Sequence, residues 1–167
     1  MVTTSDIKRL REETGAGVMD AKRALEEASG DFDQARKLIR ELGIASAAKR
    51  SGRETSEGVV EAYIHGAGRI GALVELQCET DFVARTDTFK QLAKDVAMQV
   101  AAMNPLGLTA EDVPEDAPGK REDHALLAQS FIRESSQTIQ DLVQAAIGQT
   151  GENIKIGRFS RFELGED

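Results

Sequence analysis

The sequence predicts an α+β protein: an amino-terminal bundle of three short helices, then a core of three-stranded antiparallel sheet packed with helices. Three observations predict it. Residues 1–43 carry apolar side chains at helical spacing in three blocks separated by glycine turns. Residues 58–78 hold two β-rich runs around a glycine-rich turn. The stretch from Asn153 to Leu164 is β-like again, after two further helical blocks.

The first helix is expected to open at Ser5-Asp6, with Ile7, Leu10 and Arg11 at helical spacing, and to break at Thr14-Gly15-Ala16-Gly17. The second runs from Val18 to Ala28, with Val18, Ala21, Ala24, Leu25 and Ala28 on one face, and stops at Ser29-Gly30. Asp31 caps the third, whose stripe of Phe32, Ala35, Leu38, Ile39 and Leu42 ends at Gly43. So small a bundle has a thin core and is expected to gain stability by helix packing on few large side chains or by docking on a partner. Residues 44–57, rich in Ala, Ser, Lys, Arg, Gly and Glu, read as a solvated and partly helical linker whose Lys49, Arg50 and Arg53 form a charged face or, alternatively, a partner contact.

Residues 58–167 form the second unit. The runs 58–65 and 69–78 flank Gly66-Ala67-Gly68, which reads as a hairpin turn, because no helix and no Lys-Ser/Thr follow it as a phosphate loop requires. Thr86 caps a long helix to Met103, with Phe89, Leu92, Ala93, Val96, Ala97, Val100 and Ala101 inward. All three prolines fall within 104–119, a loop. A short helical stretch takes in His124, Leu126 and Leu127, and Thr138 with Asp141 forms a capping box opening a last helix towards Gly151. In the final strand the apolar phase changes between Ile156 and Phe159, which calls for a bulge near Gly157.

Composition narrows the function. The net charge of −8 and pI near 4.9 repel nucleic acid, so no stable RNA or DNA binding is expected. No apolar run approaches the ~20 residues of a membrane helix. The start mixes acids and bases without an apolar stretch, so a cytoplasmic address is the expectation. The single Cys78 rules out an internal disulfide and, in step with Ile70, Ala72, Val74 and Leu76, reads as a small core residue. His65 and His124 lie far apart and do not make a metal site; no nucleophile elbow or dinucleotide fingerprint is present, and Glu79 with Asp81 reads as a turn carboxylate capping the next helix rather than a catalytic pair. The chain is therefore expected to be no enzyme, with neither metal nor cofactor.

One string stands apart. In Glu75–Arg85, a sheet-like run ends abruptly in Thr80-Asp81-Phe82-Val83, an acid and a large aromatic at an element boundary. Physically this is either a packed corner or a presented wedge. The string resembles the hallmark of the elongation factor Ts family. So do Thr14–Leu25 (TGAGVMDAKRAL), Tyr63–His65, Gly68–Gly71, Gly151–Ile156 and Arg158–Gly165. The resemblance implies a guanine-nucleotide exchange factor for elongation factor Tu, with an amino-terminal domain of the ubiquitin-associated type at 1–43, a linker at 44–57 and a core dimerisation domain at 58–167. It implies that Asp81 and Phe82, within Thr80–Val83, intrude near the partner's magnesium site, and that Arg11, Val18 and Met19 contact its G domain. Val18 stands where relatives often carry Met. Two departures follow from the resemblance: only about a dozen residues, Gly119 to Ser130, replace a longer helical hairpin before Phe131-Ile132-Arg133, and one core unit stands where long relatives have two, which predicts a symmetric homodimer through the sheet. The competing expectation is a plain protein-binding module whose sheet dimerises.

Overall fold

The computed structural model describes residues 1–166, and they divide into two units: Met1–Arg53 with Gln144–Asn153, and Glu54–Val143 with Ile154 onward. The division cuts through one helix, so each unit is built from two separate stretches of chain.

In the first unit, helices α1 (Thr4–Thr14), α2 (Val18–Glu27) and α3 (Phe32–Arg50) pack on Leu10, Ala21, Ala24, Leu25 and Ala35. Three of these five are alanines, so the helices approach closely but each contact removes little apolar area from water. The cap of α1 is Thr3, not Ser5: the Asp6 amide donates to Thr3 Oγ1 at 3.2 Å and the Thr3 amide donates to the Asp6 carboxylate at 2.9 Å. Counting from Thr3 puts Asp6 third in the helix, where both halves of a capping box close; counting from Ser5 would put Lys8 there, which offers no acceptor. Asp31 caps α3 as expected, accepting from the Gln34 amide at 2.9 Å.

The expected stop of α3 at Gly43 is wrong. The helix continues to Arg50, so residues 44–50 of the expected linker are helical. One interior glycine costs only about 1 kcal/mol against alanine, and the Ala, Lys and Arg that follow are good helix formers. Arg50 Nε also donates to the Gly151 carbonyl at 2.9 Å, anchoring the far end of the helix.

The second unit is an antiparallel sheet in the order β1 (Glu57–His65), β2 (Ile70–Cys78), β5 (Lys155–Glu163), the predicted hairpin plus carboxyl-terminal strand. The Gly66-Ala67-Gly68 turn places three successive residues at φ of 62°, 56° and 88°, a left-handed path that two glycines make accessible. His65 closes β1 with its ring stacked on Tyr63, centroids 6.0 Å apart. The predicted bulge is present: Glu75 faces Arg158 while Leu76 faces Ile156, leaving Gly157 unpaired.

On the inner face Ala72, Val74, Leu76 and Cys78 are buried under α5 (Asp87–Met103). Every predicted inward position of that helix is buried, and Gln99 with them. Gln99 is a junction: its amide donates to the Ser130 carbonyl at 3.0 Å while its oxygen accepts from the Ile132 amide at 3.0 Å. It thereby fastens a two-stranded hairpin, β3 (Ser130–Phe131) with β4 (Glu134–Thr138), which the sequence reading did not foresee. The predicted capping box then opens α6 (Ile139–Thr150), with Asp141 accepting from the Thr138 amide at 2.9 Å and Thr138 from the Asp141 amide at 3.1 Å.

Gly58 sets a sharp test of the strand pairing. Its φ is 154°, and a Cβ there would sit 2.1 Å from the Leu76 carbonyl oxygen on the neighbouring strand. Gly58→Ala is expected to destabilise the protein by about 2 kcal/mol or more, because backbone must move to relieve the clash. Denaturant unfolding checks this, and an unchanged midpoint would refute the pairing at this position.

Candidate functional site

The Thr80–Val83 string forms the front of a one-turn helix, α4 (Asp81–Ala84), between the end of β2 and the start of α5. Thr80 caps it by accepting from the Val83 amide at 3.4 Å. The buried Cys78 thiol donates to the Thr80 carbonyl at 3.2 Å, tying the entry to the sheet. At the exit, Thr86 Oγ1 donates to the Val83 carbonyl at 2.7 Å and accepts from the Phe89 amide of α5 at 3.3 Å.

So short a helix splits its residues sharply. Val83 and Ala84 turn inward and are buried, whereas Phe82 is 79% exposed. The packed-corner reading of Phe82 is thus excluded: its ring stands in solvent while its neighbours are fixed in the core. Asp81 pairs across the turn with Arg85, Oδ2 to Nη2 at 3.0 Å, so the turn that carries the exposed ring also carries an ion pair. Sequence reading singled out Thr80 to Val83 but missed Arg85 and the two hydrogen bonds of the Thr86 hydroxyl. The i,i+4 spacing of Asp81 and Arg85 was a visible signal for the first; nothing marked the second beyond its reading as the α5 cap.

In the other unit, Arg11 lies on the last turn of α1 and its Nε donates to the Ala16 carbonyl at 3.4 Å, steadying the loop that leads into α2. Val18 and Met19 open α2, and both are exposed; the expectation that Val18 shares the packed face fails because it lies a turn ahead of Ala21, where the packing of α2 begins. The structure thus brings these three residues to one loop and its flanks. Behind them, Glu13 accepts from Arg9 at 2.8 Å and from Arg36 at 2.6 Å. The Arg9 bond, with Arg36 second, holds the Glu13 carboxyl below its usual range. Arg9 also lies over the Phe32 ring, 4.5 Å from its centroid.

The outer face of the sheet is the other conspicuous surface. Val60 and Ile64 on β1, Leu73 on β2, Phe162 near the end of β5 and Leu164 just beyond it are all exposed. Register brings Ile64, Gly71 and Phe162 side by side, and Ile64 Cδ1 comes so near Gly71 that a Cβ there would stand 3.1 Å away. An ion pair, Glu75 with Arg158 at 3.2 Å, edges the patch. Among the described residues no cluster of three His, Cys, Asp or Glu side chains could hold a metal ion, and no helix is long and apolar enough to cross a membrane.

Comparison with known proteins bears on these surfaces. The family model for elongation factor Ts matches residues 21–123. The elongation factor Ts of Carboxydothermus hydrogenoformans is 47% identical, over 99% of this chain and 90% of that protein. The chain belongs to the elongation factor Ts family. The elongation factor Ts of Leptospira biflexa is likewise 47% identical, over 98% of both chains, and that of Fervidobacterium nodosum 44%, over 99% of both. Family membership makes this a translation elongation factor, a protein of protein biosynthesis. The alignment to the Carboxydothermus protein spans 196 positions against the 167 residues of this chain, so part of that elongation factor Ts has no counterpart here.

Proposed function

We propose that the protein is a guanine-nucleotide exchange factor for elongation factor Tu, acting in the cytoplasm without covalent chemistry and without a cofactor of its own. The observation that carries this reading is Phe82, an aromatic ring held in solvent on a turn fastened at both ends. Guanine nucleotides are held largely by phosphate and magnesium electrostatics. A rigid ring entering beside the magnesium site, with Asp81 next to it, shifts the elements that supply those contacts and speeds release. The effect is reciprocal: a factor that weakens GDP binding is itself weakened by GDP, so fresh nucleotide ejects it.

In this reading residues 1–43 are a docking domain of the ubiquitin-associated type, residues 44–57 the linker and residues 58–167 the core dimerisation domain. Arg11, Val18 and Met19 contact the partner's G domain; Val18 is shorter than the Met common at that place and packs less adaptably. The apolar outer face of the sheet supports a homodimer, which supplies the second core unit that longer relatives carry in tandem.

The decisive experiment is release of fluorescent GDP from purified elongation factor Tu, with and without this protein. Strong acceleration is expected. No acceleration, with a complex still forming, would overturn exchange and leave a binding module.

A further inference from the structure

We infer that Thr86 is the positioning residue for Phe82: its hydroxyl joins the one-turn helix that presents the ring to the long helix that anchors the core. The inference rests on the exchange reading and deepens it. A four-residue helix is not stable by itself, because fixing a first turn gains little hydrogen bonding for the freedom it loses. α4 must therefore be ordered by the burial of Val83 and Ala84 and by what holds its ends. At the entry the Val83 amide donates to the Thr80 hydroxyl over a long 3.4 Å, and the Cys78 thiol, a weak sulfur donor, reaches the Thr80 carbonyl at 3.2 Å. At the exit the backbone amide of Thr86 donates to the Val83 carbonyl at 3.0 Å, and the hydroxyl donates to the same oxygen at 2.7 Å.

A hydroxyl has one proton to give and lone pairs to accept with, and both capacities are used here. The proton goes to Val83, the residue directly after Phe82, while the Phe89 amide donates into the same oxygen at 3.3 Å. Phe89 is fully buried. A single oxygen thus connects the carbonyl behind the exposed ring to the first turn of a helix that cannot move without disturbing the core. Without it α4 keeps its sequence and its ring but samples other orientations, and only the fraction in the presenting orientation drives release.

The test uses Thr86→Val, which keeps the shape and removes the hydroxyl, Thr86→Ser, which restores it, and Thr86→Ala, should Val crowd the junction. Two readouts are taken on the full-length chain. Labelling of the single cysteine with a thiol reagent reports opening of the turn, since Cys78 is fully buried beneath it. About tenfold faster labelling is expected for Val and Ala, with Ser near the wild type. In the GDP-release titration, Val and Ala lower the rate at saturating factor about tenfold with little change in the half-saturating concentration, and Ser recovers it.

Unchanged labelling would overturn the inference. So would full exchange at saturation by a Val variant that merely melts lower, since Thr86 would then be an ordinary helix cap. If the wild type fails to accelerate release, the exchange reading falls, while the labelling still decides whether Thr86 holds the turn.

Discussion

Phe82→Ala is expected to remove most of the acceleration of GDP release while leaving the fold and the complex with elongation factor Tu intact. The ring is 79% exposed, so truncating it takes no packing from the core and should change stability by no more than about 0.5 kcal/mol. An aromatic anchor that enters a partner contributes on the order of 2–4 kcal/mol. In the proposed wedge, whose contacts form as nucleotide leaves, that loss falls on the rate at saturation: roughly 30- to 1000-fold slower release, with a half-saturating concentration little changed. Stopped-flow release measurements over a range of factor concentrations separate the two quantities. A variant that binds tenfold more weakly yet reaches the wild-type rate at saturation would make Phe82 a docking anchor and refute the wedge. Asp81→Ala alongside tests whether its carboxylate adds to the ring, since removing it also releases Arg85 from its 3.0 Å pair.

Much of this architecture was legible because the core repeats. The inward positions of α5 recur at helical spacing over four turns, and every one is buried. The phase change around Gly157 could only be reconciled with one buried face by a bulge, and the register shift lies there. What escaped was set by single bonds or by context. Thr3 and Ser5 are both competent caps, and only the carboxylate of Asp6, three residues beyond Thr3, decides between them. Gly43 has the chemistry of a helix end, yet the residues beyond it favour helix and Arg50 finds the Gly151 carbonyl, a contact 101 residues distant that local reading cannot see.

The β3–β4 hairpin was invisible for a related reason. Glu134-Ser-Ser-Gln-Thr138 has no apolar alternation, and the hairpin is fastened by Gln99, a residue type that reads as surface. The candidate site divides in the same way. The string Thr80–Val83 stood out in the sequence while the roles of Arg85 and Thr86 did not, and whether Phe82 packs or protrudes depends on the direction in which one short turn is tied, which is tertiary information.

The outer sheet face leads to an expected loss of dimerisation in Phe162→Asp. Phe162 is 75% exposed and Ile64 66% exposed, and they flank Gly71 across the sheet, on the face away from the buried core. Burying such a patch against a second copy is favourable by about 25 cal/mol per Å² of apolar area. In a two-fold dimer each side chain is used twice, so a substitution is counted twice. Losing an aromatic anchor at about 2 kcal/mol per copy weakens the dimer by roughly 4 kcal/mol, about three orders of magnitude in dissociation constant. Placing a carboxylate in the centre adds mutual repulsion across the axis. The monomeric fold should survive, because the side chain contributes nothing to the face packed under α5, and far-ultraviolet circular dichroism checks that. Light scattering at micromolar concentration is expected to give a dimer for the wild type and a monomer for Phe162→Asp. The functional consequence can then be read directly: if one chain supplies one core unit, the monomeric variant exchanges nucleotide poorly although Phe82 and Thr86 are untouched. A wild-type monomer with full exchange activity would sink the proposal and leave the apolar face to elongation factor Tu itself.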